Sequence, residues 1–275
     1  MAIQIDLEQK VVIVAGVGAG CGSALTEYLL ERANARVVAL SNDQGILDGL
    51  SQRFSKRPLQ THTVDLTDDA AMQEVFASLK KTYVGGIQGL VNNAVLPFVC
   101  NDLKSVDLPT FHRVIDTNVY AALCAAKYAY PLFQRSTPVD VHGTAVRGTI
   151  ITIGSNVSES VSPDKLLYGL TKAAERSLSQ ALAHQFGEEG IISIVVEPGD
   201  INTPRSADYV RDSNRAFRLQ RYLEKTPLHR SASPSEIAQH IAYLLDPSCA
   251  YLTGCIVRMD GGVTSCFNPA KEFTG

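Results

Sequence analysis

Seven short apolar runs punctuate the chain: Val11–Ala15, Arg36–Leu40, Gln60–Val64, Gly89–Val91, Thr149–Ile153, Ile191–Val196 and Cys255–Met259. They are rich in aliphatic and β-branched residues without strict alternation, which predicts strands buried on both faces. Between them apolar positions recur at helical spacing, predicting helices over 21–33, 43–54, 68–82, 109–134, 166–187 and 234–246. Thr67-Asp68-Asp69 and Ser233-Pro234-Ser235-Glu236 are start signals, with a capping side chain ahead of acidic residues or proline. Such alternation predicts an α/β fold: a doubly wound parallel sheet, right-handed crossovers and helices on both faces. No repeat, low-complexity tract or linker interrupts the rhythm, so residues 1–275 read as a single domain. Two segments depart from it. Residues 135–148 are polar and rich in turn formers, and predict a loop before the fifth strand. Residues 200–230 follow the Pro198-Gly199 break and are strongly charged. Loops leaving the carboxyl ends of such strands flank the ligand crevice, which makes this segment a candidate lid.

Composition narrows the class. With 45% hydrophobic and 19% charged residues the chain is ordinary globular protein. A formal net charge of −3 argues against nucleic acid as the main partner. No apolar stretch has the length of a membrane span, and the opening MAIQIDLEQK lacks a secretory pattern. The cysteines, Cys21, Cys100, Cys124, Cys249, Cys255 and Cys266, show no C-x-x-C pairing. They read as free thiols in a reducing cytoplasm, not as a disulfide framework or a zinc site. The histidines are scattered without metal-ligand spacing, so no metal is expected.

Chemistry concentrates in a few places. Gly16, Gly18, Gly20 and Gly22 follow the first strand and open a helix. Glycines there permit a tight turn, bring bare backbone N–H groups against a phosphate and pack the helix closely on the strand. The rival reading is a turn that needs glycine for structure alone. Far downstream Tyr168 and Lys172 stand at i and i+4, which puts a phenol and an ammonium on one helical face. A free phenol has a pKa near 10, and an adjacent cation favours phenolate, so the spacing suits proton transfer at neutral pH.

The order of features is specific: Gly16-x-x-x-Gly20-x-Gly22, Asp65, Asn92-Asn93-Ala94, Asn118, Ser155, Tyr168-x-x-x-Lys172, Pro198-Gly199 and Thr203. Over essentially its whole length the chain resembles the short-chain dehydrogenase/reductase family, in its short single-domain branch. The resemblance implies a Rossmann-type fold and a nicotinamide-dependent oxidoreductase. It makes Tyr168 the general acid or base, and Ser155 a donor to the reacting oxygen. Lys172 would hold the nicotinamide ribose, and Asn118 would keep a water linking Lys172 to solvent. For the cofactor it implies Gly16, Gly20, Cys21 and Gly22 at the pyrophosphate and Asp65 with Leu66 at the adenine. Asn92 and Ala94 would lie under the adenosine ribose, and Pro198, Gly199, Ile201 and Thr203 would lie along the nicotinamide. Asp65 has a rival role as a residue at the start of a helix. Two positions depart from the family pattern. Ala15 replaces the usual threonine, and Val95 replaces the glycine that ends the N-N-A-G motif.

Choice of nicotinamide rests on the end of the second strand, Ser41-Asn42-Asp43. An acid there bonds the 2′-hydroxyl of NAD and repels a 2′-phosphate. Ser41 and Asn42 are neutral, so NADP is expected, with NAD not excluded because a shifted register would bring in Asp43. In the candidate lid Arg211, Arg215, Arg218, Arg221 and Lys225 form a basic stripe. It is either a solvated face paired with Asp208, Asp212 and Glu224 or a steering field for an anionic substrate. The expected partner is a small carbonyl or alcohol, with a homo-oligomer, a dimer or a tetramer, formed through helices 109–134 and 166–187. Rival functions are a silent nucleotide sensor, disfavoured by the presence of Tyr168 and Lys172, and an epimerase or dehydratase, which would carry a larger C-terminal domain. Enoyl reduction is disfavoured because that branch spaces its tyrosine and lysine more widely, whereas a 3-oxoacyl-thioester reductase stays open.

Overall fold

The protein is described from a computed structural model, which covers residue 5 and residues 7–99, 103–159, 163–204 and 213–265. Among these, β1 (Val11–Ala15), β2 (Arg36–Ser41), β3 (Leu59–Thr63), β4 (Gly89–Asn92), β7 (Gly148–Ile153), β8 (Ile191–Pro198) and β9 (Ile256–Met259) form one sheet. Its order is β3-β2-β1-β4-β7-β8-β9, and every pairing is parallel. Parallel neighbours require crossovers, which are supplied by α1 (Cys21–Glu31), α2 (Gln44–Arg53), α3 (Asp69–Thr82), α4 (Leu108–Ile115), α5 (Ala121–Phe133) and α6 (Leu166–Phe186). Two further helices, α7 (Ser213–Lys225) and α8 (Pro234–Leu244), lie between β8 and β9.

The sheet carries a core on each face. Leu25 and Leu29 of α1, Leu47 of α2 and Ile237 and Ile241 of α8 pack on one side. Met72 and Phe76 of α3, Phe133 of α5 and Leu182 of α6 pack on the other. Each such side chain contributes roughly 1.5–3 kcal/mol by leaving water. The start signals work as the sequence indicates. Asp68 accepts from the Ala71 amide, and Ser233 with Glu236 closes a reciprocal capping box.

Three expectations need correction. Residues 139–146 are not a loop but a hairpin, β5 (Val139–Val141) with β6 (Thr144–Val146). Its turn is made by His142 and Gly143, both at positive φ, so a segment dense in turn formers also pairs its ends. Strands β3 and β9 are not buried on both faces, because they are the two sheet edges and their residues stay partly or fully exposed. The helix foreseen over 109–134 is broken at Asp116–Tyr120 by a π turn that carries Asn118. Wide turns of this kind recur at functional sites because they re-aim a side chain or free a carbonyl.

Sheet order reverses between β1 and β4, which have their sequence neighbours on opposite sides. The crevice outside the carboxyl ends of β1 and β4 is therefore the place where such folds take ligands.

Candidate active site

The glycine loop lies at that crevice. Gly16 has φ +97°, and a Cβ on it would sit 2.3 Å from the Ala94 amide nitrogen. A Cβ on Gly22 would lie 2.8 Å from the Gly16 carbonyl oxygen. The loop after β1, the start of α1 and the loop after β4 thus touch backbone to backbone. Asn93 fastens them, its Nδ2 donating to the Gly16 carbonyl at 2.6 Å. Gly20 is the N-cap of α1 and no side chain caps that helix, leaving a helix N-terminus open to an anion. Across it stands Thr203, whose Cγ2 would be 3.0 Å from a Cβ on Gly20. Cys21 opens α1 with a thiol that burial pushes up to about 11, so it stays protonated.

Tyr168 and Lys172 project from the first turns of α6. Lys172 is buried, with its Nζ 5.6 Å from the centroid of the half-buried Tyr168 ring. The ammonium donates to the Ile153 carbonyl at 2.8 Å, the last residue of β7, and to Glu175 Oε1 and Oε2 at 3.0 and 2.8 Å. The ammonium is thus held between one backbone carbonyl and one carboxylate. Burial pulls Lys172 down, but the Glu175 carboxylate and the Tyr168 phenol outweigh it and hold the amine above the ordinary lysine range. Burial pushes the Glu175 carboxyl up, against the pull of Lys172. Two residues beyond Ile153, Ser155 is buried and caps a short 3₁₀ turn, its Oγ accepting from the Val157 amide at 3.3 Å.

Asn118 is buried on the π turn. Its Oδ1 accepts from the Leu96 amide at 2.7 Å, and its Nδ2 donates to the Leu96 carbonyl and to Thr171 Oγ1. The side chain thereby ties the loop after β4 to α6. Behind Ser155, Arg176 reaches Glu197 with two hydrogen bonds of 2.8 Å, and the Ser158 hydroxyl donates to the same carboxylate.

The family model described as Enoyl-(Acyl carrier protein) reductase matches residues 15–264. Two relatives align along most of the chain. One is 2,3-dihydroxy-2,3-dihydro-p-cumate dehydrogenase of Pseudomonas putida, 28% identical, with 94% of this chain and 96% of that protein covered. The other is glucose 1-dehydrogenase 2 of Bacillus subtilis, 26% identical over the same shares. Among solved structures, ElxO with NADP bound superposes with a TM-score of 0.82 at 24% identity, covering 94% of this chain and 100% of that one. A putative gluconate dehydrogenase of Agrobacterium tumefaciens gives 0.85 at 24%, covering 97% and 100%. The chain belongs to the short-chain dehydrogenase/reductase family. As a member it is an oxidoreductase acting on CH–OH groups, of a family that interconverts alcohols and carbonyls with a nicotinamide cofactor.

The other positions that the short-chain dehydrogenase/reductase pattern singles out fall along the same crevice. Asp65 is exposed, and its Oδ1 accepts from the Thr67 amide and hydroxyl. The cap of α3 is Asp68, so the rival helix-start role does not belong to Asp65. Its neighbour Leu66 is buried. Asn92 is buried at the end of β4, with no donor to its Oδ1 among the described residues. At the end of β2 the buried Ser41 hydroxyl donates to the Val17 carbonyl at 2.7 Å, while Asn42 is exposed. Asp43 caps α2 through the Ile46 amide. Pro198 ends β8, Gly199 packs against the Tyr222 hydroxyl and Asp260, and Ile201 bridges to Ala232.

Asn93 stands in the Asn92-Asn93-Ala94 motif without a role assigned from sequence, and Asn156, Glu175 and Tyr222 carry no signal there. Asn156 Nδ2 donates to the Tyr222 hydroxyl at 2.9 Å, joining the residue after Ser155 to α7. From the same helix Arg218 pairs with Asp164 at 2.9 Å and Arg221 with Glu224 at 3.0 Å. Arg211, Asp208 and Asp212 lie outside the described residues, as do Cys100 and Cys266. Among the described residues no group of His, Cys, Asp and Glu is placed to hold a metal, and no helix is long and apolar enough to cross a membrane.

Proposed function

We propose that the protein interconverts a ketone or aldehyde and the corresponding alcohol, with Tyr168 as the acid/base and NADP as the preferred cofactor. The observation that carries this reading is the Tyr168–Lys172 pair, with its ammonium pinned to the Ile153 carbonyl, two residues before Ser155. The crevice fits a dinucleotide. The uncapped start of α1 and the Gly16–Gly22 loop offer backbone donors for a pyrophosphate. When bound, the nicotinamide supplies or accepts the hydride. Tyr168 gives its phenolic proton to the carbonyl oxygen in reduction and takes the alcohol proton in oxidation. Ser155 donates a hydrogen bond where negative charge grows on that oxygen. The ammonium of Lys172 favours the phenolate that Tyr168 must pass through.

Preference for NADP rests on the end of β2, where Ser41 and Asn42 are neutral and the exposed Asp43 turns one carboxylate oxygen to the cap of α2. The described parts of the 200–230 segment, residues 200–204 and 213–230, serve as the lid: Thr203 faces Gly20, Tyr222 meets Asn156 and Arg218 meets Asp164. The Arg218–Asp164 and Arg221–Glu224 pairs favour a charge-paired helix face over an anion-steering stripe. Exposed Leu123 on α5 and Leu166 and Leu170 on α6 support assembly into a homo-oligomer through those helices. The substrate class is a small carbonyl or alcohol, found by a panel run with NADPH and NADH and followed at the reduced-nicotinamide absorbance. On the substrate so found, Tyr168→Phe is expected to lower turnover about 10²–10⁴-fold, with cofactor affinity nearly unchanged. Near-wild-type turnover of that variant would remove Tyr168 from the role.

A further inference from the structure

The proposed chemistry does not use Glu175, yet Glu175 is the most unusual group near it. Its side chain and that of Lys172 are each only 2% exposed, and they meet at 2.8 Å. A charge taken this far from water is tolerated only when paired and hydrogen-bonded. The groups acting electrostatically on the two are each other and the Tyr168 phenol. Neutral groups face them from the surrounding elements: the Ile153 carbonyl from β7, Asn118 from the π turn, Asn92 from β4 and Ala122 from α5. Arg176, the next residue, turns away to Glu197 and Glu159. The cavity beside Glu175, between Asn92, Asn118 and Ala122, measures about 10 Å³. That is room for roughly one water molecule, so a second anion cannot reach the ammonium from this side.

We propose that Glu175 is a positioning residue for the Tyr168–Lys172 pair, the buried counter-ion that keeps Lys172 an ammonium fixed beside the phenol. The argument is one of geometry. Both carboxylate oxygens of Glu175 lie within hydrogen-bond distance of the Lys172 ammonium, which also donates to the Ile153 carbonyl. Without the carboxylate, Lys172 would be a solitary buried cation, which sheds its proton well below the ordinary lysine range. Tyr168 would then lose the charge that favours its phenolate. This inference rests on the reading of Tyr168 as acid/base, but its first test does not.

The first test is made on the full-length, cofactor-free protein. It is labelled with ¹⁵N-lysine, and the Nζ resonance is assigned by its absence in Lys172→Arg. In the wild type, Lys172 should remain an ammonium beyond the pH at which surface lysines titrate. Glu175→Gln keeps the shape and removes the charge, and should lower the titration of Lys172 by two pH units or more. Glu175→Asp, with its carboxylate drawn back by one methylene, should fall between and serves if the glutamine variant does not fold. A wild-type Lys172 that titrates with the surface lysines overturns the proposal, as does a folded Glu175→Gln protein whose Lys172 is unmoved. The second readout is the pH profile of alcohol oxidation, whose rising limb should move to higher pH in Glu175→Gln with cofactor affinity within a few fold. An unmoved limb would likewise overturn the positioning role. If Tyr168→Phe kept full turnover, the acid/base reading would fall while the lysine titration still judged the counter-ion.

Discussion

The two sides of the crevice are built on different physics. On the β1–β4 side contact is made by shape: Gly16, Gly22 and Ala94 meet backbone to backbone, and Asn93 fastens the junction with a neutral hydrogen bond. On the β7–α6–β8 side contact is made by buried charge. Lys172 pairs with Glu175, and one residue later Arg176 pairs with Glu197, whose side chain is 0% exposed. A phosphate-binding turn must let a ligand approach bare backbone, so it can carry almost no side chain. A proton-transfer site must favour one ionised form over another, so it needs charges shielded from water. The first side should therefore be sensitive to added volume and the second to removed charge.

That contrast can be broken in order of expected effect. Arg176→Met leaves the Glu197 carboxylate buried without its bidentate partner, and should cost about 3 kcal/mol in urea unfolding. A loss below about 1 kcal/mol would mean that Arg258, which also approaches Glu197 at 3.9 Å, carries the carboxylate instead. Gly16→Ala keeps every charge and adds one methyl to a position at φ +97° facing the Ala94 amide. It should lower stability by roughly 2 kcal/mol and weaken cofactor binding more than tenfold in a fluorescence titration. Unchanged binding would show that the loop relaxes and that shape is not what this side supplies.

Asn42→Asp tests charge on the side otherwise built by shape. A carboxylate at this exposed position should repel a 2′-phosphate and move the NADPH-to-NADH affinity ratio towards NADH by on the order of tenfold, or about 1.4 kcal/mol. A ratio that stays put would exclude the end of β2 from cofactor choice. The smallest effect is expected at the exposed Arg230–Glu236 pair where the lid segment ends. Arg230, with the Ser233 amide, holds the Glu236 carboxyl down at about 2, against an ordinary value of 4.5. Because the folded value is depressed, the contribution is complete above pH 4.5 and is lost as the pH falls towards 2. The stability difference between wild type and Glu236→Gln should thus shrink across that window, and a difference that persisted at pH 2 would refute the assignment.

The sheet strands and most helix limits could be read from the apolar runs because each element's spacing records which faces leave water. Gly16, Gly20, Gly22, Tyr168 and Lys172 were legible for a similar reason, since local backbone geometry and helical spacing are local properties. Ser41 shows the limit of that legibility. Its neutrality is visible in sequence, but its hydroxyl is turned into the glycine loop and bonded to Val17, which leaves Asn42 and Asp43 as the exposed residues. The break in the 109–134 helix was hidden for a different reason. The side chain of Asn118 is drawn to Leu96 and Thr171, partners 22 and 53 positions away, and no local pattern encodes that pull.

The sequence by itself determined the α/β class, the parallel order of strands and helices, and the residue types that gather at the crevice. Those follow from periodicity and from motifs whose spacing is set by one helix or one turn. The tertiary structure alone decided what Glu175 is. In sequence, Lys172 and Glu175 stand three apart on a helix, as in an ordinary solvent-facing pair of small worth. Packing α6 against β7 and the π turn removes the water around both, and at 2% exposure the same two residues become a coupled charge beside Tyr168. Burial is a property of the assembled chain, and the energy of an ion pair depends on the dielectric that assembly creates.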